Sequence, residues 1–276
     1  MIIDAHQHFW KLRRGDYPWP NETVVDIFRD FEPADLAPLL AAAGVDRTVL
    51  VQATDTVAET EFLLQIANDV AWVAGVVGWV DLGAPDAIQV IDRLHQQPAL
   101  KGLRPMLQNI EDTDWVLRDT VAPALSHMAD LGLCFDALIQ PRHLKAIEQV
   151  ASLHPTLPIV IDHIAKPKMG GAQTPGAEWL QGMRRLAELP NVRCKLSGLI
   201  TEIGPTWAMT DLAPFAAHVL NGFGPDKTLF GSDWPVVNLA GTYTGWRDTV
   251  DTLLTTFSST DRAKIMGGNA QAFYGL

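Results

Sequence analysis

The chain has 276 residues, 47% hydrophobic and 19% charged, which suits one large soluble α/β domain able to bury a substantial core. A net charge of −11 and a pI near 5.1 argue against nucleic acid or an anionic membrane as partner and favour a small neutral substrate. No apolar run approaches the ~18–20 residues of a membrane span, and Cys134 and Cys194 fall inside predicted strands, so reduced thiols in a cytoplasmic protein are expected.

The first predicted strand lies in Met1-Ile2-Ile3-Asp4-Ala5-His6-Gln7-His8-Phe9-Trp10, so no signal peptide is expected ahead of it. Strict alternation puts Asp4, His6 and His8 on one face. At ~3.3 Å per residue the two imidazoles stand about 6–7 Å apart at the backbone, close enough to lean onto one cation. A pair of satisfied core histidines is the plainer alternative, although three polar groups on one apolar strand are costly to bury without partners.

Residues 11–32 form a long loop whose Tyr17-Pro18-Trp19-Pro20 predicts a packed lid, since disordered segments are poor in aromatics. Pro33 starts a helix that Gly44 ends. A second strand, 48–51, stops at Gln52, and Thr56 with Glu59 predicts a capping box for the next helix. Further strands at 73–80, 100–104, 133–139, 158–164, 192–197 and 228–233 alternate with a helix started by Pro85 and carrying Ile88, Ile91 and Leu94 and with helices at 115–130, 142–153, 178–188 and 212–222, and two helices close the chain. Eight such units without a compositional break predict a single α/β domain over residues 1–276, a slightly distorted (β/α)8 TIM-type barrel with an extra C-terminal helix. A doubly wound open sheet is the runner-up, but no Gly-rich phosphate loop follows any strand.

In a barrel the site lies at the C-terminal ends of the strands. Those ends carry His6 and His8, Gln52, Arg104, Asp136, His163 with Lys166, Lys195 with Ser197, and Asp233 with Trp234. Each has a plainer reading: Asp233 as a turn residue before Pro235, His163 as a hydrogen-bonded core histidine, Arg104 in a salt bridge to Asp136 or another barrel carboxylate. His95, His127, His143, His154 and His218 fall on helices or their ends and are expected to face solvent.

Four segments together resemble the amidohydrolase superfamily: Asp4-Ala5-His6-Gln7-His8-Phe9-Trp10, Asp162-His163, Gly231-Ser232-Asp233-Trp234-Pro235 and Gly268-Asn269-Ala270. They resemble most its amidohydrolase 2 branch and, with the Tyr17-Pro18-Trp19 loop, the L-fucono-lactonase and L-rhamnono-lactonase group within it. The resemblance covers essentially the whole chain. It implies hydrolysis of a 1,5-lactone of L-fuconic, L-rhamnonic or a related aldonic acid in carbohydrate catabolism, with Asp233 activating water and His163 beside it. It also implies that His6, His8 and Asp233 surround one divalent metal, zinc by preference, or a water. Two-metal members carry a carboxylated Lys or a Glu on strand four and a His on strand five. Lys101 is placed to be the former, but residues 133–140 contain no His, so one metal at most is expected, and some close relatives use none. Arg104, Lys166 and Gln52 are expected to bond the lactone, and Trp19, Trp207 and Trp234 to offer flat faces to a sugar. A metal-dependent non-oxidative decarboxylase of an aromatic acid is the alternative reading, and a non-catalytic sugar-binding barrel the remote one.

Overall fold

The computed structural model describes residues 1–171 and 173–276. Eight strands, β1 (Ile3–Gln7), β2 (Arg47–Val51), β3 (Val73–Gly78), β4 (Leu100–Leu103), β5 (Cys134–Ala137), β6 (Ile159–Ile161), β7 (Val192–Leu196) and β8 (Thr228–Phe230), form one sheet in sequence order. All seven neighbouring pairs are parallel. Helices on the outside connect them, as the alternating pattern predicts. The eighth seam, between the last strand and the first, closes just beyond β8: His8 N donates to Trp234 O (2.7 Å) and Asp233 N donates to His6 O (2.8 Å). Barrel closure therefore sets Asp233 beside the two histidines.

Two expected helices begin later than their sequence suggests. The 115–130 segment opens with a 3-10 turn, Trp115–Leu117, before the helix Ala122–Asp130, and the 142–153 segment opens with Pro141–His143 before Leu144–Leu153. The second of these turns explains why His143 is buried rather than solvent-facing, since its Nδ1 takes up the Gln140 N–H at 3.1 Å. The first helix behaves as read, with Pro33 in its first turn and Gly44 closing it in the left-handed conformation.

The interior is layered. Ile3, Val49, Val77, Val160 and Leu229 make an apolar floor into which Ala270 and Tyr274 of the C-terminal helix Asn269–Tyr274 pack. A band of buried charges lies above this floor, and the candidate site lies above that. Cys134 and Cys194 are buried and unpaired with each other. Among the described residues no helix is long and apolar enough to cross a membrane.

Candidate active site

β1 does not keep the strict alternation that would align Asp4 with His6 and His8. Its register against β2 shifts between Asp4 and Gln7, and the Asp4 carboxylate turns back on the chain. It accepts from His6 N (3.1 Å), Ser232 N (2.8 Å), Ser232 Oγ (2.5 Å) and Tyr243 Oη (3.1 Å). Asp4 thus fastens the first strand to the turn after β8 and takes no part in the site.

The shift leaves His6 and His8 together, their Nε2 atoms 3.2 Å apart. Asp233 Oδ1 lies 3.2 Å from His8 Nε2, 3.6 Å from His6 Nε2 and 3.7 Å from His163 Nε2. All four residues are buried. Burial pushes the Asp233 carboxyl up, but His163, His8 and His6 outweigh it and hold the group well below the usual carboxylate range. His163 is pulled down to about 4, mainly by burial, so it is neutral at neutral pH. Burial also holds His6 well below its ordinary value.

These donors fit a single divalent ion. A carbonyl can only accept, so His8 Nδ1 donates its proton to Val51 O at 2.8 Å. Its Nε2 then faces a carboxylate oxygen at a distance that requires a proton or a cation between them. Around a tetrahedral zinc with bonds of about 2.0–2.1 Å, ligand atoms stand about 3.3–3.4 Å from each other. The separations of 3.2, 3.2 and 3.6 Å bracket that value. A second clustered set, His6, Asp162 and His163, is less suited, because Asp162 is already matched by Lys195 (2.9 Å) and Arg104 (3.1 Å). Lys101 is remote, donating to Gly275 O at the opposite end of the barrel.

Below the histidines, Lys195 Nζ contacts Asp136 Oδ2 (2.5 Å), Asp162 Oδ1 (2.9 Å) and His6 Nδ1 (3.1 Å) with no exposure to solvent. Tyr274 Oη donates to Asp136 Oδ2 at 2.8 Å, which ties the floor to this band. Burial alone would discharge Lys195, but Asp136 and Asp162 keep it charged, above its ordinary value. Arg104 pairs with the barrel carboxylate of Asp162, which it shares with Lys195.

A cavity of about 490 Å³ opens over this cluster, lined by His8, His163, Asp233, Arg104, Lys166 and Trp19 among others. Lys166 is paired with Glu202 at 3.2 Å. Arg104 Nε is buried without a partner among the described residues. Three expected substrate contacts, Gln52, Trp234 and Trp207, do not line the cavity. Gln52 spends its amide on Arg104, donating to its carbonyl (3.0 Å) and accepting from its guanidinium (3.0 Å), so it holds that arginine in place. Trp234 is 1% exposed and packs edge-on against Phe9 (5.9 Å) and Phe31 (5.2 Å). Trp207 is half-buried and bonds Ala240 O. Reading strand ends alone missed Asp55, on the loop after β2, and Gln108 and Asn109, in the 3-10 turn Leu107–Asn109 after β4, all of which line the cavity.

β6 also ends sooner than expected, at Ile161, and His163 sits beyond it in a turn with four successive left-handed residues, His163, Ile164, Ala165 and Lys166. Left-handed backbone costs a non-glycine residue about 1–2 kcal/mol. Ser197 Oγ stands 2.9 Å from His163 Nδ1 and orients the ring.

The capping box expected at Thr56 forms only by half. Thr56 Oγ1 accepts from Glu59 N (3.0 Å), but the Glu59 carboxylate turns to the cavity loop and accepts from Ala53 N and Thr54 N. Thr54 Oγ1 donates to Asp16 O, so this carboxylate anchors the loop that carries the lid. Burial pushes Glu59 up to about 7, against the pull of those amides. A raised folded-state pKa means its protonated form stabilises the fold at low pH, and that contribution is lost as pH rises through 7. Glu59→Gln should therefore flatten the loss of stability between pH 4.5 and 7, by about 3 kcal/mol at most, in urea titrations across that range. An unchanged slope would show that Glu59 is not the titrating group.

The sequence model of the amidohydrolase family matches residues 3–276. The chain is 45% identical over 276 residues to an L-fucono-1,5-lactonase of Burkholderia ambifaria, covering 99% of this chain and 94% of that protein. It is 35% identical over 292 residues to an L-fucono-1,5-lactonase of Burkholderia multivorans, covering 99% and 96%. A crystal structure of a Burkholderia multivorans amidohydrolase with bound zinc superposes with a TM-score of 0.93 at 35% identity, covering 100% of this chain and 99% of that one.

Proposed function

Because the chain belongs to the amidohydrolase family, we propose that it is a hydrolase of sugar lactones, acting on a 1,5-lactone of L-fuconic, L-rhamnonic or a related aldonic acid. The observation that carries the reading is the convergence of the His6, His8 and His163 Nε2 atoms on one carboxylate oxygen of Asp233 beneath a sugar-sized cavity.

Ring-ester hydrolysis needs a positioned water, a proton acceptor and a donor for the developing oxyanion. Asp233, ionised and turned toward the cavity, accepts a proton as water attacks the lactone carbonyl. With Ser197 donating to His163 Nδ1, the Nε2–H of His163 faces the cavity as a donor for the carbonyl oxygen. When the ring C–O bond breaks, the proton held by Asp233 passes to the leaving alkoxide and the product is the free hydroxy acid. Arg104 and Lys166 give the nascent carboxylate positive partners, and Trp19 offers an apolar face to the sugar ring. His6, His8 and Asp233 would hold a zinc ion, which when bound lowers the pKa of water to about 7. The reading includes one domain over residues 1–276 and a cytoplasmic location, which two buried free thiols support.

A panel of 1,4- and 1,5-sugar lactones followed with a pH indicator, with spontaneous hydrolysis subtracted, tests the activity. Acid release from none of them would end the lactonase reading. Elemental analysis should give no more than one zinc per chain, and His8→Ala should weaken zinc retention by at least about tenfold. Two equivalents per chain would contradict a single site. Lactone turnover that survives chelation would also dismiss a metal-dependent decarboxylase.

A further inference from the structure

We propose that Trp179 is a positioning residue for this reaction, because its indole N–H pins the left-handed turn that aims His163 and Lys166 into the cavity. The assay of this role rests on the lactonase reading, but the assignment itself rests on backbone geometry. His163, Ile164, Ala165 and Lys166 have φ of 50°, 50°, 62° and 43°. None is glycine and Ile164 is β-branched, so local preference alone would not give this turn. Strained backbone of this kind persists only where its surroundings hold it.

Lys166 N donates to His163 O at 2.9 Å within the turn, and Ser197 reaches the imidazole ring. From the helix Ala177–Glu188, outside the barrel wall, Trp179 Nε1 donates to Ile164 O at 2.8 Å, in the middle of the strained stretch. The indole is itself fixed, 3% exposed and packed against Phe215 (5.5 Å) and His218 (5.2 Å). Its direction is therefore set before the turn forms the bond. Without that donor the turn can relax toward ordinary backbone, and both cavity-facing side chains move together. A misplacement of about 1 Å can cost on the order of 10²-fold in rate.

The test compares the parent with Trp179→Phe, Ala165→Gly and the double variant. Trp179→Phe keeps an aromatic ring and loses the donor. It should lower kcat/KM at least about tenfold, with kcat falling and KM rising, because His163 and Lys166 both move. Ala165→Gly alone should stay near the parent, and in the double variant it should recover part of the loss, since glycine takes positive φ without strain. Near-parent kinetics for Trp179→Phe, or strictly additive effects of the two substitutions, would overturn the proposal. If Trp179→Phe does not fold, Trp179→Met, which also lacks a donor, replaces it under the same criteria. Modification of His163 by diethyl pyrocarbonate, read by peptide mass, needs no lactone and should be several-fold faster in Trp179→Phe. If the parent hydrolyses no lactone, that rate decides alone: faster modification keeps the turn assignment, and an unchanged rate overturns it.

Discussion

Asp233→Asn should lower lactone turnover by at least ~10²-fold, the lower end of what a general base contributes, while Tm stays close to the parent's. The asparagine keeps the shape, and the main-chain bond from residue 233 to His6 O is untouched. What goes is the one charged acceptor that His6, His8 and His163 all face. Those three neighbours hold the carboxylate ionised through the whole working pH range, so the loss should be uniform with pH from neutrality upward. A folded Asp233→Asn protein with near-parent kcat would remove the base from the mechanism. The substitution should also weaken zinc retention, and measuring both in one preparation separates proton transfer from metal binding.

The largest effect on stability is expected from Lys195→Met. Its ammonium group stands between Asp136 and Asp162, fully buried. Removing one partner of a buried ion pair typically costs about 3–5 kcal/mol, because the remaining charge keeps its desolvation penalty. Burial already pushes Asp136 up to about 6, and loss of Lys195 raises it further. A carboxylate with a raised folded-state pKa stabilises while protonated and loses that contribution as pH rises. The deficit of Lys195→Met should thus shrink in acid and grow above neutrality, as urea titrations on either side of Asp136's pKa would show. Lys195→Met/Asp136→Asn should recover part of it. A deficit equal at both pH values would mean that Asp136 is not left charged.

The barrel was legible because each strand and helix carries its own local signals: apolar runs of strand length, Pro33 and Gly44 around a helix, polar residues gathered at strand ends. His6, His8 and Asp233 could be found for the same reason, since a barrel brings strand ends together whatever the loops do. What escaped depends on partners distant in sequence. Asp4 turns away from the histidines because Ser232 and Tyr243 claim it from 228 and 239 positions away, and no alternation rule contains them. That Arg104 takes Asp162 out of the barrel carboxylates open to it is decided by where the two strand ends meet, 58 positions apart in sequence. Glu59 looked like a capping residue by spacing, and its carboxylate instead serves the cavity loop. Gln52 and Trp234 stand at strand ends as read, but each faces a neighbour rather than the cavity.

The seam between β8 and β1 has a consequence for how activity is regained after denaturation. It is made by main-chain bonds at His6, His8, Asp233 and Trp234, and His8 and Asp233 are 225 positions apart. Seven strand pairings can be in place, and circular dichroism can look native, while the two halves of the candidate site are still separate. Contacts of such long sequence separation carry the greatest loop-closure cost. Recovered turnover should therefore lag recovered ellipticity in a refolding experiment, marking closure of the cylinder as the step that creates the enzyme.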